Sequence, residues 1–317
     1  MTDAAYRVAL PGGRFALAIG EPDRGPAELI EGLSLDELLA GPAGQFWARL
    51  TAAPRRELPA SARVVAPLES QDVWAAGVTY APSRDARQAE SAHAAIYQAV
   101  YGAVRPELFY KSRGPQVRGP GEPVAIRSDS TWDVPEPEIA LVLSSACEVV
   151  ALTAGNDMSS RSIEGANPLY LPQAKVYDGS CALGPCLVRV PERRDLQIQL
   201  VIERGGAVAF HGTAPWSWLL RTFESLASWL GRGLTFPAGA VLLTGTPLIP
   251  PAEFTLAEGD LVSITVEGVG TLANPVRLLD CGAPPADEAT AGGARPLRAD
   301  AGQRLARAQP YSLARRL

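Results

Sequence analysis

Two carboxylates, Glu136 and Glu138, stand two residues apart at the head of an unbroken apolar run, residues 139–143. Read as a strand, this segment puts side chains two apart on one face, roughly 6–7 Å from each other. Two acids crowded on one face repel unless positive charge lies between them. A third acid, Asp157, follows the next apolar run. Such a set makes an all-oxygen site for a hard divalent cation such as Mg2+. The alternative for the two glutamates is a solvated strand edge, which Pro135 and Pro137 would suit. Asp157 taken alone would read as a turn residue.

The basic residues sharpen this picture. Lys and Arg together number 29, yet only Lys111 and Lys175 are lysines. Lysine is a compact charge whose pKa falls readily on burial, whereas arginine stays charged. The two lysines are therefore candidates for work that arginine cannot do, and Lys175 follows the acids closely in sequence. The two histidines, His93 and His211, are far apart, which excludes a histidine-rich zinc site. Cys147, Cys181, Cys186 and Cys281 form no CxxC pair and read as buried free thiols. Acid–base chemistry must then rest on carboxylates, lysine, tyrosine or metal-bound water.

At 317 residues the chain has room for one large or two ordinary domains. A net charge of −5 and the lack of a large basic patch argue against nucleic acid as a partner. The apolar runs are too short to span a membrane. The first residues lack a basic segment followed by a long apolar core, so a cytoplasmic location is expected.

Three regions differ in texture. Residues 1–70 read as a small N-terminal domain, with strands at 7–10 and 15–19 joined across Pro11-Gly12-Gly13. A helix should start at Ser34, capped through Glu37. Residues 71–282 alternate short strands with Gly/Pro turns, predicting a strand-rich α+β domain. Within it, helices are expected over 83–104 and 216–230. Residues 283–317 are rich in Ala, Pro and Arg and read as a mostly disordered tail.

Six motifs then occur in a specific order: Gly77-Val-Thr-Tyr80, Pro106 to Lys111, Pro135-Glu-Pro-Glu138, Gly155-Asn-Asp157, Lys175 to Pro185, and Leu243-Thr-Gly-Thr-Pro247. Together they resemble the fumarylacetoacetate hydrolase superfamily, over about residues 71–282. The resemblance implies a mixed β-sandwich roll, a homodimer or higher oligomer, and Mg2+ bound by Glu136, Glu138 and Asp157. Mn2+ and Ca2+ are alternatives. It also places the family's active-site lysine on Lys175.

The chain departs from the hydrolytic members at one point. Their His/Glu pair, three and six residues after the tyrosine matched by Tyr80, is replaced by Ser83 and Ala86. Segments 79–91 and 159–175 look most like the 2-keto-3-deoxy-D-arabinonate dehydratase branch. The resemblance therefore implies a magnesium-dependent dehydratase of a 2-keto-3-deoxy sugar acid, acting through a stabilised enolate in sugar-acid catabolism. Lys175 is the first candidate for the base, Glu164 the second, and Glu90 a member of the proton path. Ser83, Arg84, Arg161, Tyr170, Gln173 and Thr246 are candidate contacts to the 2-keto acid. Two other readings stand beside this one: a hydrolase or decarboxylase of an acylpyruvate, and a non-catalytic metal-binding assembly protein.

Overall fold

Both faces of strand 137–143 are buried, and this decides the architecture. Ile139, Leu141 and Leu143 point into one apolar cluster, and Ala140 and Val142 into another. An unbroken apolar run is what a strand covered on both faces requires. The computed structural model describes residues 3–81, 94–192 and 196–282. Its strands are β1 (Ala4–Leu10), β2 (Arg14–Glu21), β3 (Gly25–Ile30), β4 (Arg55–Glu57), β5 (Arg63–Val65), β6 (Asp72–Gly77), β7 (Glu107–Arg113), β8 (Val124–Arg127) and β9 (Asp133–Val134). They continue as β10 (Pro137–Leu143), β11 (Val149–Asp157), β12 (Ser159–Ser160), β13 (Cys181–Val188), β14 (Gln197–Arg204), β15 (Ala207–Pro215), β16 (Ala240–Leu243), β17 (Leu261–Val266) and β18 (Gly270–Leu279).

The large sheet runs β4-β3-β2-β1-β13-β11-β10-β16-β6-β7, with β5 added beside β1. Its pairings are antiparallel except β16 with β6. A second sheet runs β15-β14-β17-β18-β8. Ile139, Leu141 and Leu152 of the large sheet pack with Ile198, Leu200 and Ile264 of the second, giving the sandwich its interior. On the other face of the large sheet, Ala140, Val142 and Val241 pack with Leu35, Leu38, Phe46 and Trp47. The result is the expected strand-rich sandwich with few helices.

The N-terminal hairpin forms as expected, with Leu10 opposite Arg14. Its strand β1 also pairs with β13, so residues 1–70 extend the large sheet, and the chain contacts gather Met1–Cys281 into one unit. Ser34 and Glu37 form the capping box. The helix expected over 216–230 is broken. Trp216–Trp218 makes a 3-10 turn, and the α-helix Phe223–Leu230 starts afresh behind Thr222, whose hydroxyl accepts the Ser225 N–H. The intervening backbone is spent elsewhere: Leu220 N–H donates to Thr79 O, and Leu219 bridges Tyr80. Of the helix expected over 83–104, Ala94–Gly102 is helical and residues 83–93 lie outside the described residues. All four cysteines are free, but only Cys181 and Cys186 are buried; Cys147 and Cys281 are half-buried.

Candidate active site

The register of β10 and β11 brings the three acids together. Glu138 lies opposite Gly155, and Asp157 N–H donates to Glu136 O, so all three carboxylates share one face at the strand ends. Asp157 is the last residue of β11 rather than a turn residue. One oxygen of each acid lies within 4.8 Å of the others, and none of the three residues is more than 4% exposed. The solvated-edge reading of Glu136 and Glu138 therefore does not hold.

Basic groups meet this cluster from three sides. Lys175 Nζ donates to Glu136 Oε2 at 2.8 Å and Asp157 Oδ2 at 2.9 Å. Arg161 Nη2 donates to Glu136 Oε1 at 3.0 Å. Lys111 Nζ pairs with Asp157 Oδ1 at 2.5 Å. Glu138 is contacted differently, by the Gly245 N–H at 2.7 Å. Its carboxyl is held well above the usual range by burial, and further by the charges of Asp157 and Glu136. Burial likewise pushes the Cys181 thiol, opposite Asp157 on β13, up to about 12, so it is inert at neutral pH.

A cavity opens on this cluster. Glu136, Glu138, Asp157, Lys175, Arg161 and Glu164 line it, with Thr246 and Gly245 from the loop after β16. Arg161 and Glu164 lie three apart on the helix Arg161–Ala166 and so share a face. Ser159 Oγ donates to Glu164 Oε2 at 3.3 Å. On the helix Leu171–Lys175, residues four apart share a face, and Leu171 and Lys175 both reach the cavity. Gln173, midway between them, points away and is exposed, and Tyr170 is 46% exposed. Neither is brought to the cavity wall. Thr246 is there, but its hydroxyl donates to Leu248 O and accepts Leu248 N–H, so the expected hydroxyl contact to a substrate carboxylate is already committed. Ser83, Arg84 and Glu90 lie outside the described residues.

Among the wall residues that escaped the sequence reading, two stand on β7. Glu107 and Phe109 sit on β7, the strand that also carries Lys111, and both line the cavity. Glu107 pairs with Gly77 across the ladder, and a Cβ at Gly77 would strike the Glu107 carboxylate. The signal was present: Glu107 and Phe109 stand two apart and so share one strand face.

Comparison with known proteins places this geometry. A family model described as fumarylacetoacetate (FAA) hydrolase C-terminal matches residues 72–277. A probable 2-keto-3-deoxyxylonate dehydratase of Haloferax volcanii is 48% identical over 213 residues, covering 66% of this chain and 73% of that protein. A 2-dehydro-3-deoxy-D-arabinonate dehydratase of Saccharolobus solfataricus is 39% identical over 222 residues, covering 68% and 74%. The solved structure of a 2-keto-3-deoxy-D-arabinonate dehydratase complexed with magnesium and 2,5-dioxopentanoate superposes with a TM-score of 0.76 at 30% identity, covering 87% of this chain and 99% of that one.

Proposed function

The chain belongs to the fumarylacetoacetate hydrolase family, and from that premise we propose that it is a magnesium-dependent hydro-lyase removing one water from a 2-keto-3-deoxy sugar acid of the arabinonate or xylonate type. The observation that carries the reading is the buried three-carboxylate cluster with the Lys175 ammonium seated on two of its members. A homodimer or higher oligomer and a cytoplasmic location complete the proposal. Among the described residues no helix is long and apolar enough to cross a membrane.

The cluster fits a hard cation. Its donors are all oxygens, they lie close together, and the crowding that raises the Glu138 carboxyl is relieved by added positive charge. Glu136, Glu138 and Asp157 would hold Mg2+, or alternatively Mn2+ or Ca2+, which would supply Lewis acidity toward the 2-keto group of the substrate.

The remaining roles fall to the chain's own residues. Lys175 Nζ is the proposed base for the C3 proton. It lines the cavity and is held there by Glu136 and Asp157. The C3–H and C4–O bonds break, a C3–C4 double bond forms, and proton and hydroxide leave together as one water. Glu164 and Glu107, both on the wall, are the proposed proton donors to the departing C4 oxygen. Arg161, anchored by Glu136, is the proposed clamp for the substrate carboxylate. Ser83 and Arg84 are proposed as substrate contacts and Glu90 as part of the proton path, on the family pattern. With Ser83 and Ala86 in place of a His/Glu pair, those two positions supply no base to activate water for carbon–carbon cleavage.

Mass analysis of the product from a 2-keto-3-deoxypentonate with Mg2+ tests the reading. Loss of one water with every carbon retained is expected. No turnover there, alongside rapid splitting of an acylpyruvate into two fragments, would replace the dehydratase with a hydrolase.

A further inference from the structure

Lys111, one of only two lysines in the chain, has no part in the chemistry proposed above. It is also one of the most deeply buried side chains, at 0% exposure. An ammonium on an apolar strand face is costly unless each of its donors is met. Three acceptors surround Lys111 Nζ: Asp157 Oδ1 at 2.5 Å, Lys175 O at 2.6 Å and Met158 O at 2.9 Å. An ammonium carries three N–H donors and no acceptor. Two of them donate to the Met158 and Lys175 carbonyls, and the ammonium's charge is met by the ion pair with Asp157 Oδ1.

The identity of those acceptors matters. Lys175 O belongs to the last residue of the helix Leu171–Lys175, where carbonyls lack intrahelical donors. Asp157 and Met158 stand at and just past the end of β11. One atom on β7 thus ties the strand end carrying a cluster carboxylate to the helix end carrying the proposed base. The tie closes on itself: Lys111 holds Asp157 Oδ1 and the Lys175 backbone, while Lys175 Nζ holds Asp157 Oδ2. Arginine's planar fork does not reproduce a point charge met by two carbonyls and a carboxylate, which accounts for lysine at this position in a chain that otherwise uses arginine.

We propose that Lys111 is the positioning residue for Lys175 and Asp157, a buried strut whose loss lets the base and the carboxylate drift apart without removing either. The strut bears on turnover only through the role proposed for Lys175.

Lys111→Met keeps the aliphatic stem and removes the donors. Lys111→Gln restores two donors of the three. In Lys111→Met, kcat per folded molecule should fall about 100-fold, as expected when a reacting group is misplaced by about 1 Å. KM for the 2-keto acid should stay within about threefold, because the group lost touches no substrate. Exchange of the substrate's C3 protons into D2O should fall in parallel with kcat, and Lys111→Gln should recover at least about tenfold. A kcat per folded molecule within about threefold of the unaltered chain, with only the melting temperature lowered, would show a purely structural lysine and overturn the proposal. Where neither variant folds, the full unaltered chain decides. With two lysines it gives two lysine ammonium 15N signals, and the strut requires the Lys111 ammonium protons to exchange slowly. It also requires that signal to shift in Asp157→Asn. Rapid exchange, or a signal blind to Asp157→Asn, overturns the strut whatever the substrate. Failure of the unaltered chain to dehydrate any 2-keto-3-deoxy acid would instead strike the dehydratase reading.

Discussion

Removing the charge of Glu138 should make the metal-free protein more stable and the enzyme inactive. The Glu138 carboxyl is pushed up by burial first, then by Asp157 and Glu136. A carboxyl whose folded pKa exceeds its unfolded value costs the folded state nothing below the unfolded value, about 4.3 for Glu. The cost then grows as pH rises and is fully present above the folded pKa. Two unit charges at the 4.8 Å limit of this cluster repel by about 3 kcal/mol at an effective dielectric constant of about 20. Two repulsions against one attraction, from Lys175, leave about 3 kcal/mol from charge crowding alone, to which burial adds and which relaxation reduces. Glu138→Gln keeps an oxygen for the Gly245 N–H. In EDTA at neutral pH it should be more stable by about 1–3 kcal/mol, a rise in Tm of roughly 2–10 °C. The difference should shrink as pH falls towards the unfolded carboxyl range. Added Mg2+ should stabilise the unaltered protein by about 2.7 kcal/mol at a hundred times its Kd, and the variant by much less. Turnover should fall by about 100-fold or more, the loss of about 3 kcal/mol of transition-state stabilisation. Differential scanning calorimetry with and without EDTA, across pH, checks all of this. A variant no more stable than its parent without metal, or one that Mg2+ stabilises equally, would refute the reasoning.

Lys175→Arg should cost nearly as much as Lys175→Ala, about 100-fold in kcat, because a guanidinium does not give up its proton. Near-normal turnover by the arginine variant would demote Lys175 to an electrostatic support. Gly77→Ala should fold, since the Cβ meets the movable end of Glu107, yet lose at least about tenfold in kcat as that carboxylate is displaced. An unchanged kcat would remove Glu107 from the proton path. Ending the chain after Gly282 should leave turnover intact, because every residue of the described cavity wall lies between Ala76 and Ile249. Loss of activity in a soluble, folded truncation would show that the tail completes the site.

What was legible in the sequence was what depends on local pattern. Alternation and spacing placed Glu136 and Glu138 on one face, and the capping pair Ser34/Glu37 marked a helix start that forms. What was not legible depends on pairing between distant segments. Nothing local in Leu219 or Leu220 announces that their backbone is taken by Thr79 and Tyr80, so the helix over 216–230 was drawn too long. Tyr170 and Gln173 belong to the segment 159–175 that resembles the dehydratase branch, and the resemblance does not say which way each side chain points. A helical rotation turns residues two apart to different sides, which takes Gln173 to the surface while Lys175 faces inward. Glu107 went unnoticed because its carboxylate matters only opposite Gly77, a pairing that the chain separates by thirty residues.

The Thr-Gly-Thr-Pro loop shows how such distant pairing shapes the site. Gly245 has φ +92°, and a Cβ there would strike the Thr79 hydroxyl. Thr79 is itself fixed, its Oγ1 donating to Thr244 O at 2.6 Å and its carbonyl accepting Leu220 N–H. Just before it, Val78 sits at φ +53°, a conformation that costs a β-branched residue about 1–3 kcal/mol. These contacts hold two segments hard against each other where β6 and β16 end. The consequence is chemical: Gly245 is pressed close enough that its N–H, rather than a side chain, contacts Glu138. A backbone donor adds no charge to the carboxylate. Glu136 and Asp157 are each paired with basic side chains, whereas the Glu138 carboxyl is held above the usual range by burial and by its neighbours' charges. That imbalance is what a divalent cation would relieve, and it is built from a glycine, a strained valine and a threonine with no acid–base side chain among them.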